Sequence, residues 1–102
     1  MTPEGKVKAK VKVMLKKYGV YWHMPVQNGM GAPSLDFICC VGGKYMAIET
    51  KAPGGVLTQR QALTSDQIRT AGGTVFMVDG ELRHVETWIQ LTQLKGPQNV
   101  QE

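Results

Sequence analysis

The sequence predicts an α/β (α+β) fold in which helices flank a mixed central sheet. Three observations predict it: apolar residues recur at helical spacing near both ends of the chain, two apolar runs flank Gly42 and Gly43, and a capped helix separates that pair of runs from a further strand. A chain of 102 residues is enough for one domain with a single core. We expect residues 1–94 to form that domain and residues 95–102 to be a polar C-terminal tail.

The first predicted element is a helix over residues 2–18. Thr2 can cap its N-terminus, Pro3 suits its first turn, and Gly19 is a natural end. From Lys6 to Val13 lysines and apolar residues alternate, which is also a strand pattern, but the capping residues and the length favour a helix. Helical spacing is followed by Val7, Val11, Met14, Leu15 and Tyr18.

Three strands are expected next. Residues 21–26 predict a short strand that Pro25 places near a sheet edge, and residues 27–33 predict a loop because they hold two glycines and a proline. Residues 35–41 and 44–51 are rich in strand formers. The two glycines between them are typical of a hairpin turn.

The remaining elements alternate helix and strand. Thr58 can cap a helix of about a dozen residues that Gly72 and Gly73 close. Residues 74–78 predict a strand, and apolar residues at helical spacing predict a last helix over residues 82–94. The element order is therefore helix, three strands, helix, strand, helix.

The chain carries 12 Lys and Arg against 8 Asp and Glu, a formal net charge of +4. Six of these cations are lysines between residues 6 and 17, which suits either a polyanionic partner or a solvated lysine-rich face. The longest uncharged run, residues 18–35, is interrupted by glycine and proline and does not predict a membrane span. Cys39 and Cys40 are adjacent, so a bridge between them would be strained; we expect reduced thiols and a cytoplasmic protein.

One group of residues points to chemistry. A two-residue turn at Gly42 and Gly43 places Asp36 directly opposite Glu49, and Lys51 lies on the same face as Glu49. Like charges at that distance repel, and a divalent cation such as Mg²⁺ or Mn²⁺ relieves the repulsion through oxygen ligands. The alternative is a strand end at the surface where Lys51 neutralises a carboxylate. Spacing alone leaves both readings open.

The surrounding residues resemble a known family. Residues 28–37, 47–55 and 57–61, which read NGMGAPSLDF, AIETKAPGG and LTQRQ, resemble the VRR-NUC (virus-type replication-repair) nucleases of the PD-(D/E)XK superfamily. The likeness runs from the first helix to about Gly80, and it differs from the usual pattern because Ser34 and Leu35 separate Pro33 from the aspartate. It implies a restriction-endonuclease-like αβββαβ core of the small stand-alone type that is typical of bacteriophages.

The resemblance also implies a set of site residues. Asp36 and Glu49 would be metal ligands together with the backbone carbonyl of Thr50, and Lys51 would be the catalytic lysine. Glu4 resembles the acid on the family's first helix, and Gln61 resembles a glutamine that starts the helix after the hairpin. Without the resemblance, Glu4 could simply stabilise a helix N-terminus and Gln61 could be an ordinary exposed residue. Contacts with nucleic acid are expected from Lys6, Lys8, Asn28 and Arg60.

The expected function is therefore a Mg²⁺- or Mn²⁺-dependent endonuclease for branched or duplex DNA, with no membrane partner. The resemblance implies cutting of four-way (Holliday) junctions in phage DNA replication or recombination, which needs two active sites and hence a homodimer. Two alternatives stay open. One is a non-catalytic DNA-binding recombination accessory protein, and the other is an interaction module in which the charged strand end is incidental.

Overall fold

The computed structural model of the protein describes residues 1–26 and 34–96. The predicted loop at residues 27–33, which includes Asn28, lies outside the described residues, as does the tail at residues 97–102. The elements follow the predicted order: α1 (Pro3–Lys17), β1 (Tyr21–His23), β2 (Phe37–Val41), β3 (Lys44–Thr50), α2 (Gln59–Thr70), β4 (Thr74–Val78) and α3 (Arg83–Lys95).

The four strands form one mixed sheet in the order β1-β2-β3-β4. β2 is antiparallel to both β1 and β3, whereas β4 runs parallel to β3. The β2-β3 register pairs Phe37 with Ile48 and Val41 with Lys44, so the turn holds two residues as predicted. Both turn glycines have positive φ, 56° at Gly42 and 82° at Gly43, which is the requirement of a tight hairpin turn. The hairpin therefore has the register that the sequence predicts.

Helices cover both faces of the sheet. On one face, α1 and α3 bury a core that includes Val11, Phe37, Ile48 and Ile89, all of them less than 1% exposed. On the other face, Leu35, Ala47 and Val75 form a smaller cluster against Ile38 and Ile68, of which Ile68 belongs to α2. The arrangement is the α+β fold with a mixed, helix-flanked sheet that the sequence predicts.

The alternating segment of α1 is helical, because its buried residues follow helical spacing. Val7, Val11, Met14 and Leu15 are buried, whereas Val13, which a strand would place beside Val11, is 69% exposed. The hydroxyl of Thr2 accepts a 3.0 Å hydrogen bond from the Gly5 N–H and caps the helix as predicted. A single apolar face is enough to hold α1 on the sheet.

The ends of five elements differ from the predicted limits. α1 lacks the first and last residues of the predicted range 2–18, and β3 ends one residue earlier than predicted. β1 ends at His23 because its register would pair Pro25 and Val26 with residues that precede the start of β2. β2 begins at Phe37, two residues later than predicted. α3 extends to Lys95, so this first residue of the predicted tail is helical.

The hairpin turn lies against the last helix. A Cβ added at Gly42 would meet both Cγ2 and the carbonyl oxygen of Thr92 at 3.1 Å, so the turn fits closely against α3. Cys39 is buried, Cys40 is exposed, and both are free thiols, as their alternation on the strand predicts. Within residues 1–26 and 34–96, no helix combines the length and the apolar character needed to cross a bilayer.

Candidate active site

The polar residues of interest lie where β2 begins and β3 ends, at the opposite end of the hairpin from its turn. Asp36 directly precedes β2, Glu49 and Thr50 are the last residues of β3, and Lys51 follows them. Glu49 and Thr50 are buried although they are polar, with exposed fractions of 3% and 0%. Buried polar groups need partners, and the contacts of these residues define the site.

Asp36 is held by Thr50. Its Oδ2 accepts two hydrogen bonds, one of 3.0 Å from the Thr50 N–H and one of 2.6 Å from the Thr50 hydroxyl. Two donors on one oxygen fix the rotamer of the carboxylate and leave Oδ1 as the outward-facing acceptor. Sequence reasoning assigned only the carbonyl of Thr50 to the site and missed this role of its side chain.

Glu49 is held from two directions. Its Oε1 accepts a 3.1 Å hydrogen bond from the Asp36 N–H, and its Oε2 accepts a 2.8 Å hydrogen bond from Nε2 of Gln61. Burial raises the pKa of Glu49 to about 7, and the neighbouring Asp36 carboxylate also raises it. The Asp36 N–H and the Lys51 ammonium act in the opposite direction. The site thus holds a carboxylate whose negative charge is incompletely compensated by the protein.

Gln61 joins this carboxylate to the start of α2. Its Oε1 accepts a 3.0 Å hydrogen bond from the Thr58 N–H while its own N–H donates to the Thr58 hydroxyl at 3.1 Å, which is a complete capping box. The amide of Gln61 therefore both caps the helix and binds Glu49. The structure places Gln61 in contact with Glu49.

Lys51 closes the site on the solvent side. Its Nζ lies 3.9 Å from Glu49 Oε2, and its side chain is only 14% exposed. Its backbone N–H donates a 2.8 Å hydrogen bond to the Val78 carbonyl, which extends the parallel pairing of β3 with β4 past the last strand residue. The sheet therefore fixes the main chain from which the Lys51 side chain reaches Glu49.

The first helix brings two more charges to the site. Lys8 Nζ lies 3.4 Å from Glu4 Oε2 and 4.0 Å from Asp36 Oδ1. Glu4 also contributes to the raised pKa of Glu49, though less than the other causes. α1 therefore places Glu4 near the acids as expected, and it adds Lys8, whose contact with Asp36 no local sequence pattern indicates.

The carboxylates of Asp36 and Glu49 point in different directions, although the two residues are neighbours across the hairpin. The hairpin register alone suggests that their carboxylates lie side by side on one face. Instead, Asp36 turns its carboxylate to Thr50 and α1, while Glu49 reaches Gln61 on α2. This arrangement gives each carboxylate its own donors, while the Asp36 carboxylate still raises the pKa of Glu49. The acids remain adjacent, because the Asp36 N–H binds Glu49 directly.

Comparison with known proteins bears on the fold. No protein-family model matches the chain, and no curated protein matches it. A solved structure described as a VRR_NUC domain superposes with a TM-score of 0.71 at 21% sequence identity, covering 88% of this chain and 97% of the other. The chain has the fold of a VRR_NUC domain. This finding agrees with the fold class that the sequence predicts.

Within this VRR_NUC fold, the site offers oxygen ligands to a cation. Asp36 Oδ1 and the carboxylate of Glu49 face the same end of the sheet, and hard oxygen donors suit Mg²⁺ or Mn²⁺. Among residues 1–26 and 34–96, no three His, Cys, Asp or Glu side chains form a metal-binding group, so the candidate centre rests on two carboxylates. The raised pKa of Glu49 fits a site that a cation completes, because a divalent charge would relieve its repulsion by Asp36.

The expected nucleic-acid contacts occupy different places. Lys8 lies at the site, and Arg60 is an exposed residue in the first turn of α2. Lys10 borders a groove between α1 and α3, and Lys6 lies one helical turn before it on the same flank, away from Asp36. Asn28 lies outside the described residues. Lys8 is therefore the one of these residues that contacts an acid of the site, and Arg60 directly precedes Gln61, which binds Glu49.

Proposed function

We propose that the protein is a divalent-metal-dependent endonuclease of the VRR-NUC type that hydrolyses phosphodiester bonds in DNA. The observation that carries this proposal is the meeting of Asp36, Glu49 and Lys51 at one end of the sheet of a VRR_NUC fold. A buried Glu49 and an Asp36 that is only 15% exposed, together beside a lysine, are costly to a fold unless they serve a purpose. Hydrolysis of a phosphodiester uses two features that this site offers. One is a set of ligands for a cation, and the other is a positive group near the phosphate oxygens.

The two acids are the ligands in this proposal. A Mg²⁺ or Mn²⁺ ion held by Asp36, Glu49 and the carbonyl of Thr50 would supply a Lewis acid for the phosphodiester and its attacking water. Thr50 keeps Oδ2 of Asp36 occupied, so Asp36 offers Oδ1 as its ligand atom. Gln61 holds Oε2 of Glu49 in place. These hydrogen bonds orient the ligands before any cation binds, which lowers the cost of binding.

Lys51 is the catalytic lysine. Its ammonium lies 3.9 Å from Glu49 Oε2, its main chain is bonded to β4, and its side chain is largely shielded from solvent. From that position it can hold the attacking water and stabilise the negative charge that develops on the phosphate oxygens in the transition state. Glu4, on the first helix, is an additional acid that can bind a hydrated cation through water.

The substrate that we propose is branched DNA, with four-way junctions as the preferred form, and duplex DNA as the simpler one. The net charge of +4, Lys8 beside Asp36 and the exposed Arg60 next to Gln61 in the chain support a polyanionic partner. Resolving a junction requires two cuts, so we propose a homodimer with one site per subunit. The resemblance to small stand-alone VRR-NUC nucleases also supports a phage origin and a place in the host cytoplasm.

A non-catalytic DNA-binding accessory protein is the alternative. A site that has lost catalysis usually lacks an acid or the lysine, but Asp36, Glu49 and Lys51 are all present and in contact. The catalytic function is therefore the better supported of the two.

The deciding experiment is a cleavage assay with labelled four-way junctions and linear duplexes of the same sequence. Each DNA is incubated with Mg²⁺, with Mn²⁺ or with chelator, using wild-type protein and Asp36→Ala. Cutting that needs the cation and is lost in the variant supports the proposal, and preference for the junction supports the substrate. Junction binding without cutting in every cation favours the accessory function, and absence of DNA binding contradicts both.

A further inference from the structure

We propose that Lys8 is the counter-cation of the acidic site in the metal-free protein and that a divalent ion displaces it. This inference rests on the proposed metal site and adds a residue that controls its occupation. Lys8 then links the binding of the cation to the binding of DNA.

The contacts of Lys8 carry the inference. Its ammonium lies between two acids, 3.4 Å from Glu4 Oε2 and 4.0 Å from Asp36 Oδ1. Oδ1 is the ligand oxygen of Asp36 in the proposed site, because Thr50 occupies Oδ2. The ammonium and a divalent cation therefore compete for the same oxygen atom. Coulomb repulsion prevents both from occupying that position together.

Lys8 can also leave this position at low cost. Its side chain is 33% exposed, and its partner Glu4 is 39% exposed, so the ion pair is partly solvated and weak. Lysine carries a flexible four-carbon chain that can hold its ammonium several ångströms away from the helix. Lys51, by contrast, is only 14% exposed and is bound to β4 through its main chain. The mobile cation of the site is therefore Lys8.

Other lysines of α1 do not share this position. Lys10 and Lys17 border the groove between α1 and α3, where Lys17 Nζ lies 3.9 Å from Glu86 Oε1. Among the described residues, Lys8 is the lysine of α1 that lies within 4.0 Å of Asp36, so the competition with a divalent ion is specific to it. Lys10 is a matched control, since it has the same charge on the same helix but faces away from Asp36.

Once displaced from Asp36, Lys8 can bind DNA at the edge of the site. Its ammonium, released from Asp36, is close to the place where a phosphodiester must lie to meet the acids, and it can pair with a phosphate of the bound strand. Cation binding then favours DNA binding, and by thermodynamic linkage DNA binding favours cation binding to the same degree.

The test is a calorimetric titration of DNA-free protein with Mn²⁺ at pH 8, using wild type, Lys8→Met and Lys10→Met. Removing the competing ammonium should make Lys8→Met bind Mn²⁺ about three- to tenfold more tightly, because the ion no longer has to displace an ammonium from Asp36 Oδ1. Lys10→Met should bind like wild type. Equal or weaker Mn²⁺ binding by Lys8→Met overturns the inference, since a lysine that supports the site would give that result.

A second measurement tests the link to DNA. Duplex affinity is measured with Ca²⁺, which seldom supports such cleavage, and with chelator. Wild type should bind DNA several-fold more tightly with Ca²⁺, and Lys8→Met should lose most of that gain; an unchanged gain overturns the link. If wild type binds Mn²⁺ but Lys8→Met does not differ from it, the inference alone is wrong. If wild type binds no divalent ion, the proposed metal site is wrong and the inference with it.

Discussion

Gln61 Nε2 donates a 2.8 Å hydrogen bond to Glu49 Oε2, so the residue that completes the cap of α2 also holds a buried acid. Helix formation and the geometry of the acid therefore depend on one side chain. Because Oε1 of the same amide accepts from the Thr58 N–H, a change at this position affects both at once.

Replacing Gln61 by alanine should lower the free energy of unfolding by about 1 kcal/mol, since the capping box is lost. It should also weaken Mn²⁺ binding several-fold, because Glu49 loses the donor that orients it. Urea unfolding and Mn²⁺ titration measure the two effects. Gln67→Ala, an exposed glutamine on the same helix, is the control and should leave Mn²⁺ affinity unchanged.

Substitutions at Lys51 and at Asp36 should distinguish the effect on catalysis from the effect on cation binding. Lys51→Ala should reduce the single-turnover cleavage rate about 10²–10³-fold while Mn²⁺ affinity does not fall, because the ammonium stabilises charge and is not a ligand. Asp36→Ala should lower both quantities. Lys44→Ala, an exposed change at the turn end of the same strand, should alter neither. Equal Mn²⁺ affinity in wild type and Asp36→Ala would remove Asp36 from the ligand set.

The hydroxyl of Thr50 should contribute both to stability and to Mn²⁺ binding, because it holds the Asp36 carboxylate. Thr50→Val keeps the shape of this fully buried side chain but removes the 2.6 Å donor to Asp36 Oδ2, at a cost of about 1.5–3 kcal/mol in unfolding free energy. Mn²⁺ affinity should fall with it, because the Asp36 rotamer is less constrained. Thr50→Ser restores the donor and should recover the affinity. A serine variant as defective in Mn²⁺ binding as the valine variant would show that methyl packing matters instead.

The metal-free protein should lose stability as the pH rises through neutrality. Burial, and then the Asp36 carboxylate, raise the folded pKa of Glu49 from its usual 4.5 to about 7. The contribution of a group with a raised pKa is fully present below its unfolded pKa and is lost as the pH passes the folded one. Thermal melts in chelator should therefore show wild type falling relative to Glu49→Gln between about pH 5 and pH 8. A constant difference between the two proteins across that range would contradict the raised pKa.

The two cysteines should react very differently with a thiol reagent. Burial raises the pKa of the Cys39 thiol to about 12, whereas Cys40 is exposed on the other face of the strand. Only the thiolate reacts, so folded protein should label at Cys40 alone, and Cys39 should label after unfolding. Mass spectrometry of labelled wild type and Cys40→Ser checks this. Rapid labelling of folded Cys40→Ser would indicate that β2 opens easily.

Much of the fold follows from local patterns in the sequence. The glycine pair at 42–43 determines the hairpin register, and Thr2 and Thr58 mark where two helices begin, because each of these features acts through neighbouring residues. The end of β1 was predicted three residues too far along, since strand length depends on where the partner strand starts. That starting point is set by Asp36, whose N–H binds a side chain instead of continuing the ladder.

The sequence predicts the candidate site only in part, because some of its contacts depend on residues that are distant in the chain. Its acids and Lys51 lie on one hairpin, so spacing brings them to one end of it. The contact of Lys8 with Asp36 and the orientation of Asp36 toward Thr50 depend on how α1 packs across the sheet. Packing of one element on another is not encoded in the periodicity of either.

The tight Gly42-Gly43 turn, fitted against Thr92, also determines how the chain tolerates insertions and deletions. Side chains alternate along β3, so a single residue gained or lost at the turn would shift the strand by one place and send Glu49 to the opposite face of the sheet. Each later residue of β3 would then face the side of the sheet opposite to its present one and would contact different residues. A length change at the turn, distant from the acids, would therefore abolish the site as completely as their removal.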